Sequence, residues 1–156
     1  MGKTPKNLRI VTSLGFPISF TIRSMAYVLI VDDEPDSSEF VERFLEREGH
    51  RTTIVPNGRE ALAALINGRP DAMVLDVRMP QMDGIALLEV LRSYLRWTKL
   101  PVILLTAHAN EDQIQRAKEL GVDYVFHKAN FTLVDLLRAI EQSLPPSHAN
   151  HSSRAT

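Results

Sequence analysis

Tyr27-Val28-Leu29-Ile30-Val31-Asp32-Asp33-Glu34-Pro35 sets five consecutive apolar residues directly against three acids and a proline. An apolar run of that kind, with no polar alternation, reads as a central strand covered on both faces, as parallel sheets require. Pro35 stands where a helix would begin, because its missing N–H is not needed in a first helical turn. Strand, acidic turn and helix therefore follow one another without a spacer.

Working outward, the same alternation recurs five times between Tyr27 and Leu144. The expected strands are Tyr27 to Val31, Arg51 to Val55, Ala72 to Leu75, Pro101 to Leu105 and Tyr124 to Phe126. The first, third and fourth are nearly continuous apolar runs and are expected at the centre of the sheet. Between them lie segments whose apolar residues recur every three or four positions. The stripes are Phe40, Val41, Phe44 and Leu45; Ala61, Leu62 and Leu65; Ile85, Leu88 and Leu91; Ile114, Ala117 and Leu120; and Leu133, Leu136, Leu137 and Ile140. Such stripes need a sheet to pack on. Gly49 and Gly121 fall where left-handed caps would end the first and fourth helices, and Asn57-Gly58 and Asp83-Gly84 mark entries to the second and third. Five strands alternating with five helices predict a doubly wound α/β sandwich with a five-stranded parallel sheet and right-handed crossovers.

The flanks lack this pattern. Residues 1–25 form an expected N-terminal extension, 26–144 the folded domain, and 145–156 a disordered tail beginning at Pro145-Pro146. Lys3, Lys6 and Arg9 superficially suggest a signal peptide, but Ser13, Pro17, Ser19, Thr21 and Arg23 interrupt its apolar centre, and Met25 is the expected natural start. The 156 residues, 44% apolar and 24% charged, suit one domain with one core. A net charge of −1 without a dominant charged run argues against nucleic acid and membrane partners. No apolar stretch reaches the roughly 20 residues of a membrane span. The absence of cysteine excludes disulfides, zinc–thiolate sites and cysteine nucleophiles and permits a reducing compartment; the cytoplasm is the expected location.

In such a sheet, polar residues just past the strands' last apolar residues share one rim. Those positions hold Asp32 and Asp33, Asp76, Thr106 and Lys128. Three carboxylates in one crevice repel strongly at low dielectric, which is tolerable only with a bound cation or with raised pKa values. Magnesium, which prefers oxygen ligands and keeps several waters, answers that need. Asp76 ends the central strand and is the expected nucleophile toward phosphorus. Thr106 and Lys128 would then neutralise charge on the transferring phosphoryl group.

Taken together, Val31 to Pro35, Asp76-Val77-Arg78-Met79-Pro80-Gln81-Met82-Asp83-Gly84, Thr106-Ala107 and Lys128 resemble the receiver domain of two-component response regulators. Each motif is weak alone, and the ordered set is specific. The resemblance covers about three quarters of the chain, Tyr27 to Leu144. It implies the flavodoxin-like strand order 2-1-3-4-5. It also implies that Asp76 is the phosphoacceptor, with Asp33, Asp76 and the Arg78 carbonyl on magnesium and Asp32 binding through water. Thr106 would couple phosphate to the switch, and Lys128 would pair with the phosphoryl group or Asp76. The implied partners are a sensor histidine kinase or histidine phosphotransfer protein, a downstream protein, and a second copy in a phosphorylation-dependent homodimer. The chain would be a signalling switch and not an enzyme, with autophosphorylation and autodephosphorylation its only chemistry.

Two positions depart from the family. Val125 stands where receivers usually carry a switch aromatic, and Tyr124 and Phe126 point to the other face of a period-two strand. Ala129 follows the lysine where the family commonly has proline with a cis bond. Cis costs about 3–4 kcal/mol before alanine against about 0.5–1 before proline, so the bond here is trans or held by strong local contacts. The departures support an alternative, a pseudo-receiver acting as a constitutive interaction module. An aspartyl-nucleophile phosphatase lacks its D-x-D pattern, and a flavodoxin lacks its phosphate loop. His108 is assigned a tuning role on dephosphorylation together with Arg78, His127 a solvated loop, and Trp97 a ring covering the loop before the fourth strand.

Overall fold

The computed structural model describes Arg9–Val11, Pro17–Ser19 and residues 25–145. In the extension, β1 (Arg9–Val11) pairs antiparallel with β2 (Pro17–Ser19), Ile10 opposite Ile18. The expectations for the remainder of residues 1–24 and for the tail from Pro146 fall outside the described residues.

Alternation is as read. β3 (Tyr27–Val31), α1 (Pro35–Arg47), β4 (Arg51–Val55), α2 (Gly58–Asn67), β5 (Ala72–Leu75), α3 (Gly84–Ser93), β6 (Val102–Thr106), α4 (Glu111–Glu119), β7 (Tyr124–His127) and α5 (Leu133–Ser143) follow in turn. The five strands are all parallel in the order β4-β3-β5-β6-β7, which is 2-1-3-4-5 counted within this sheet. Period two divides each central strand between two cores. Leu29, Val31, Met73, Leu75, Val102 and Leu104 face the side of α2, α3 and α4. Val28, Ile30, Ala72, Val74, Ile103 and Leu105 face α1 and α5. That division is why β3, β5 and β6 are apolar at every position except the terminal Thr106, and buried throughout apart from half-buried Tyr27.

Helix ends follow from local chemistry. Asn57 accepts from Glu60 N, Asp83 from Ala86 N and Thr132 from Asp135 N, while Asn110 and Gln113 close a reciprocal capping box. Gly49 (φ 92°) and Gly121 (φ 75°) take the left-handed conformation after α1 and α4. Among the described residues no helix is long and apolar enough to cross a membrane.

Three sequence expectations need correction. Pro101 lies outside β6, which runs on to Thr106: proline has no N–H for the ladder, while Thr106 pairs with His127. His127 is correspondingly the exposed last residue of β7 and not a loop residue. Phe40 is 59% exposed, because the sheet-facing stripe of α1 is centred on Ser38, Val41 and Leu45.

Candidate functional site

Strand register builds the site. Val31 is aligned with Leu75 across the β3–β5 pair, so Asp32 and Asp76 leave the sheet side by side one residue later. Backbone bonds fix both: Asp76 N donates to Val31 O at 2.9 Å and Asp32 N to Val55 O at 3.1 Å. Leu104 pairs with Leu75, which brings Thr106 to the same rim, and Lys128 N donates to Thr106 O at 3.0 Å. Asp32, Asp76 and Thr106 are buried, whereas Asp33 is exposed at the mouth.

The carboxylates meet. One oxygen from each of Asp32, Asp33 and Asp76 lies within 4.8 Å of the others. Lys128 Nζ donates to Asp32 Oδ2 at 2.7 Å, to Glu34 Oε2 at 3.2 Å and to Asp76 Oδ2 at 3.4 Å. Burial raises the Asp76 carboxyl above its ordinary range and the Asp32 charge adds to this, while Lys128 and the Thr106 hydroxyl pull the other way. Burial alone would lower the Lys128 ammonium, but its hydrogen bond to Asp32 and the charges of Asp32 and Asp76 outweigh that and raise it. Such a group of hard oxygen donors, with a cation already drawn between two of them, fits a hard divalent ion.

Around this centre, Arg78 borders a recess with Asp33, Val77, Met79, Asp83 and Gln113. Gly84 N donates to Val77 O at 2.8 Å, locking the start of α3 against the residue after Asp76. A Cβ on Gly84 would overlap the Asp76 carbonyl oxygen and sit 3.0 Å from Val77 Cα, so glycine is demanded by space. His108 is exposed, and its N–H reaches the Thr106 hydroxyl at 3.4 Å.

The two departures from the family have structural counterparts. Among the described residues there is no cis peptide bond, so Lys128–Ala129 is trans. Val125 packs against the core under α4, while Tyr124 and Phe126 stack on the α5 side with centroids 6.3 Å apart. Glu34 was given no role from sequence. Its place in the acidic run after β3 was the signal, but its approach to Lys128 spans 94 residues and appears only in the fold.

The profile of the family described as response regulator receiver domain matches residues 28–141. Sporulation initiation phosphotransferase F of Bacillus subtilis is 35% identical over 118 residues, covering 76% of this chain and 93% of that protein. An uncharacterized 14.6 kDa protein of Leptolyngbya boryana is 38% identical over 122 residues, covering 76% of this chain and 92% of that one. Among solved structures, the signal receiver domain of a signal transduction histidine kinase from Syntrophus aciditrophicus is similar, with 35% identity and a TM-score of 0.70. It covers 84% of this chain and 97% of that one. Against longer regulators the matched region spans as little as 21% of the relative's length.

Proposed function

The chain belongs to the response-regulator receiver family, and on that footing we propose that it is a phosphorylation switch whose phosphoacceptor is Asp76. The observation that carries this reading is the convergence of Asp32, Asp33 and Asp76 within 4.8 Å, with Lys128 Nζ 3.4 Å from Asp76. An Asp76 oxygen attacks the phosphorus of a phosphohistidine on a sensor kinase or phosphotransfer protein. The P–N bond breaks with its electron pair going to the imidazole nitrogen, and an acyl phosphate forms.

Each neighbour has a part. Lys128 opposes the burial that raises the Asp76 carboxyl, favouring its ionised form, and then offers its N–H groups to a phosphoryl oxygen. Thr106 presents its hydroxyl to another. Asp32, Asp33, Asp76 and the Arg78 carbonyl would hold magnesium, which when bound supplies positive charge against the phosphoryl oxygens. A bound phosphoryl group adds about −1.5 to −2 charges, enough to redraw the hydrogen bonds of Lys128 and Thr106 and bias a neighbouring surface. The output is altered binding to another protein.

The test is labelling by acetyl phosphate with magnesium, followed by intact mass. The wild type should gain one phosphoryl group and Asp76→Asn none; an Asp76→Asn protein that labels normally removes the reading. The position of Val125 favours a second reading, a constitutive interaction module, for which partner binding would be identical before and after labelling.

A further inference from the structure

The end of the sheet opposite Asp76 carries a second surface. Arg69 and Pro70 precede β5, and Leu100 and Pro101 precede β6, so these residues meet at the amino ends of two central strands. They line a cleft together with Arg96, Trp97, Lys99 and one carboxylate, Asp71, whose Oδ2 already accepts from Tyr27 N at 2.7 Å. Tyr94 packs edge-on against Trp97 at 5.6 Å, and the Arg96 guanidinium lies 5.7 Å from the Trp97 ring centre. Beside them Leu95 is 95% exposed and Tyr94 55%. Single exposed apolar residues are ordinary, but an adjoining tyrosine, leucine and tryptophan on one short loop is the composition of an interface centre.

This loop is rigidly built. Arg92 donates to the carbonyls of Trp97 (2.8 Å), Thr98 (3.2 Å) and Leu100 (3.0 Å) within it, and to those of Leu120 (2.7 Å) and Gly121 (3.3 Å) across from it. A surface already ordered loses little conformational entropy when a partner binds.

Charge selects the occupant. Arg69, Arg96 and Lys99 are exposed, and none has a carboxylate partner among the described residues. Residues 1–24 and 146–156 contain Lys3, Lys6, Arg9, Arg23 and Arg154 and not one acid, so neither terminal segment complements them. We propose that this cleft binds an acidic peptide segment of a partner protein, its apolar side chain on Trp97 and Leu100 and its carboxylates on Arg69, Arg96 and Lys99. The apolar floor favours a peptide over nucleic acid, whose phosphates need cations arrayed along a backbone. Because Asp71 and Asp76 bracket β5, the site lies a full strand length from the phosphoacceptor. It is an anchor that leaves Asp76 open to its phosphodonor, and it is independent of the Asp76 chemistry.

Trp97 is the only tryptophan, so its emission reports the cleft directly. The full chain is titrated with a synthetic Glu/Leu peptide, a Lys/Leu counterpart and a single-stranded oligonucleotide. Saturable change with the Glu/Leu peptide alone, weakened by salt, supports the proposal. So does a loss of about tenfold or more in Arg96→Glu/Lys99→Glu, as expected for reversed charges at an interface, with Asp76→Asn binding like the wild type. Three results overturn it: no saturable change, stronger binding of the oligonucleotide, or undiminished binding by the charge-reversed protein with native circular dichroism. Sedimentation showing that the emission change tracks self-association would also overturn it.

Discussion

Replacing Gly84 by alanine should damage the site without altering any of its charged side chains. The added methyl would overlap the Asp76 carbonyl oxygen and lie 3.0 Å from Val77 Cα and 3.1 Å from the Asp76 carbonyl carbon. All three are backbone atoms of the strand end that carries the phosphoacceptor, so no side chain can swing aside. Overpacking of this kind costs about 1–3 kcal/mol. At roughly 4 °C per kcal/mol for a domain of this size, the melting temperature should fall by about 4–12 °C. Relief requires Asp76 to move relative to Thr106 and Lys128, and a misplacement of about 1 Å costs up to about 100-fold in a positioned reaction. Labelling by acetyl phosphate should therefore slow by tenfold or more on the same estimate. Gly49→Ala is the control: no atom lies within 4 Å of its added Cβ, so it bears only the left-handed penalty of about 1–2 kcal/mol. It should lose stability and label normally. A Gly84→Ala protein that melts and labels like the wild type would refute the tight packing of α3 on the phosphoacceptor strand.

Lys128→Met removes the cation shared by Asp32 and Asp76, a loss of about 3–5 kcal/mol for a largely buried pair. It should melt far below the wild type in chelator and recover in part with magnesium, as followed by thermal denaturation. Arg92→Met removes a donor from five carbonyls, of which Trp97 O keeps its bond from Leu100 N, and should lower the urea midpoint. Arg92→Lys should not restore it, since one ammonium cannot replace a planar five-donor fork. Phe40→Ser should change stability by less than about 0.5 kcal/mol, whereas Leu45→Ala should cost about 2–5 kcal/mol. Equal effects in urea titration would contradict the observed exposure of Phe40.

The strand alternation and the rim residues were legible because both are local. Burial on two faces leaves an unbroken apolar run, and a sharp polar residue at its end marks where the run leaves the sheet. Phe40 was misplaced because a stripe repeating every three or four residues gives the apolar side of a helix but not the edges of the part the sheet covers. The β6 boundary slipped by one residue because a proline can look like the start of an apolar run while contributing no ladder donor. Glu34 and Arg92 stayed hidden for another reason. Their partners lie 94 residues away in one case and up to 29 in the other, and no spacing rule connects them. Val125 could be placed opposite Tyr124 and Phe126 from periodicity, but which core received it required the helices to be docked.

The Arg92 clasp makes α4 a lever. Its donors hold Leu120 and Gly121, immediately after the helix, so the far end is pinned to α3. The near end begins at Asn110, four residues beyond Thr106, and lies ahead of Arg116, which donates to Glu89 of α3 at 2.9 and 3.0 Å. The part of α4 ahead of that tie, Glu111 to Gln115, is an arm of about 7 Å at about 1.5 Å per residue. If phosphorylation displaces the Thr106 strand end, the first turn should travel most, at Glu111 and Asp112, and Glu119 least.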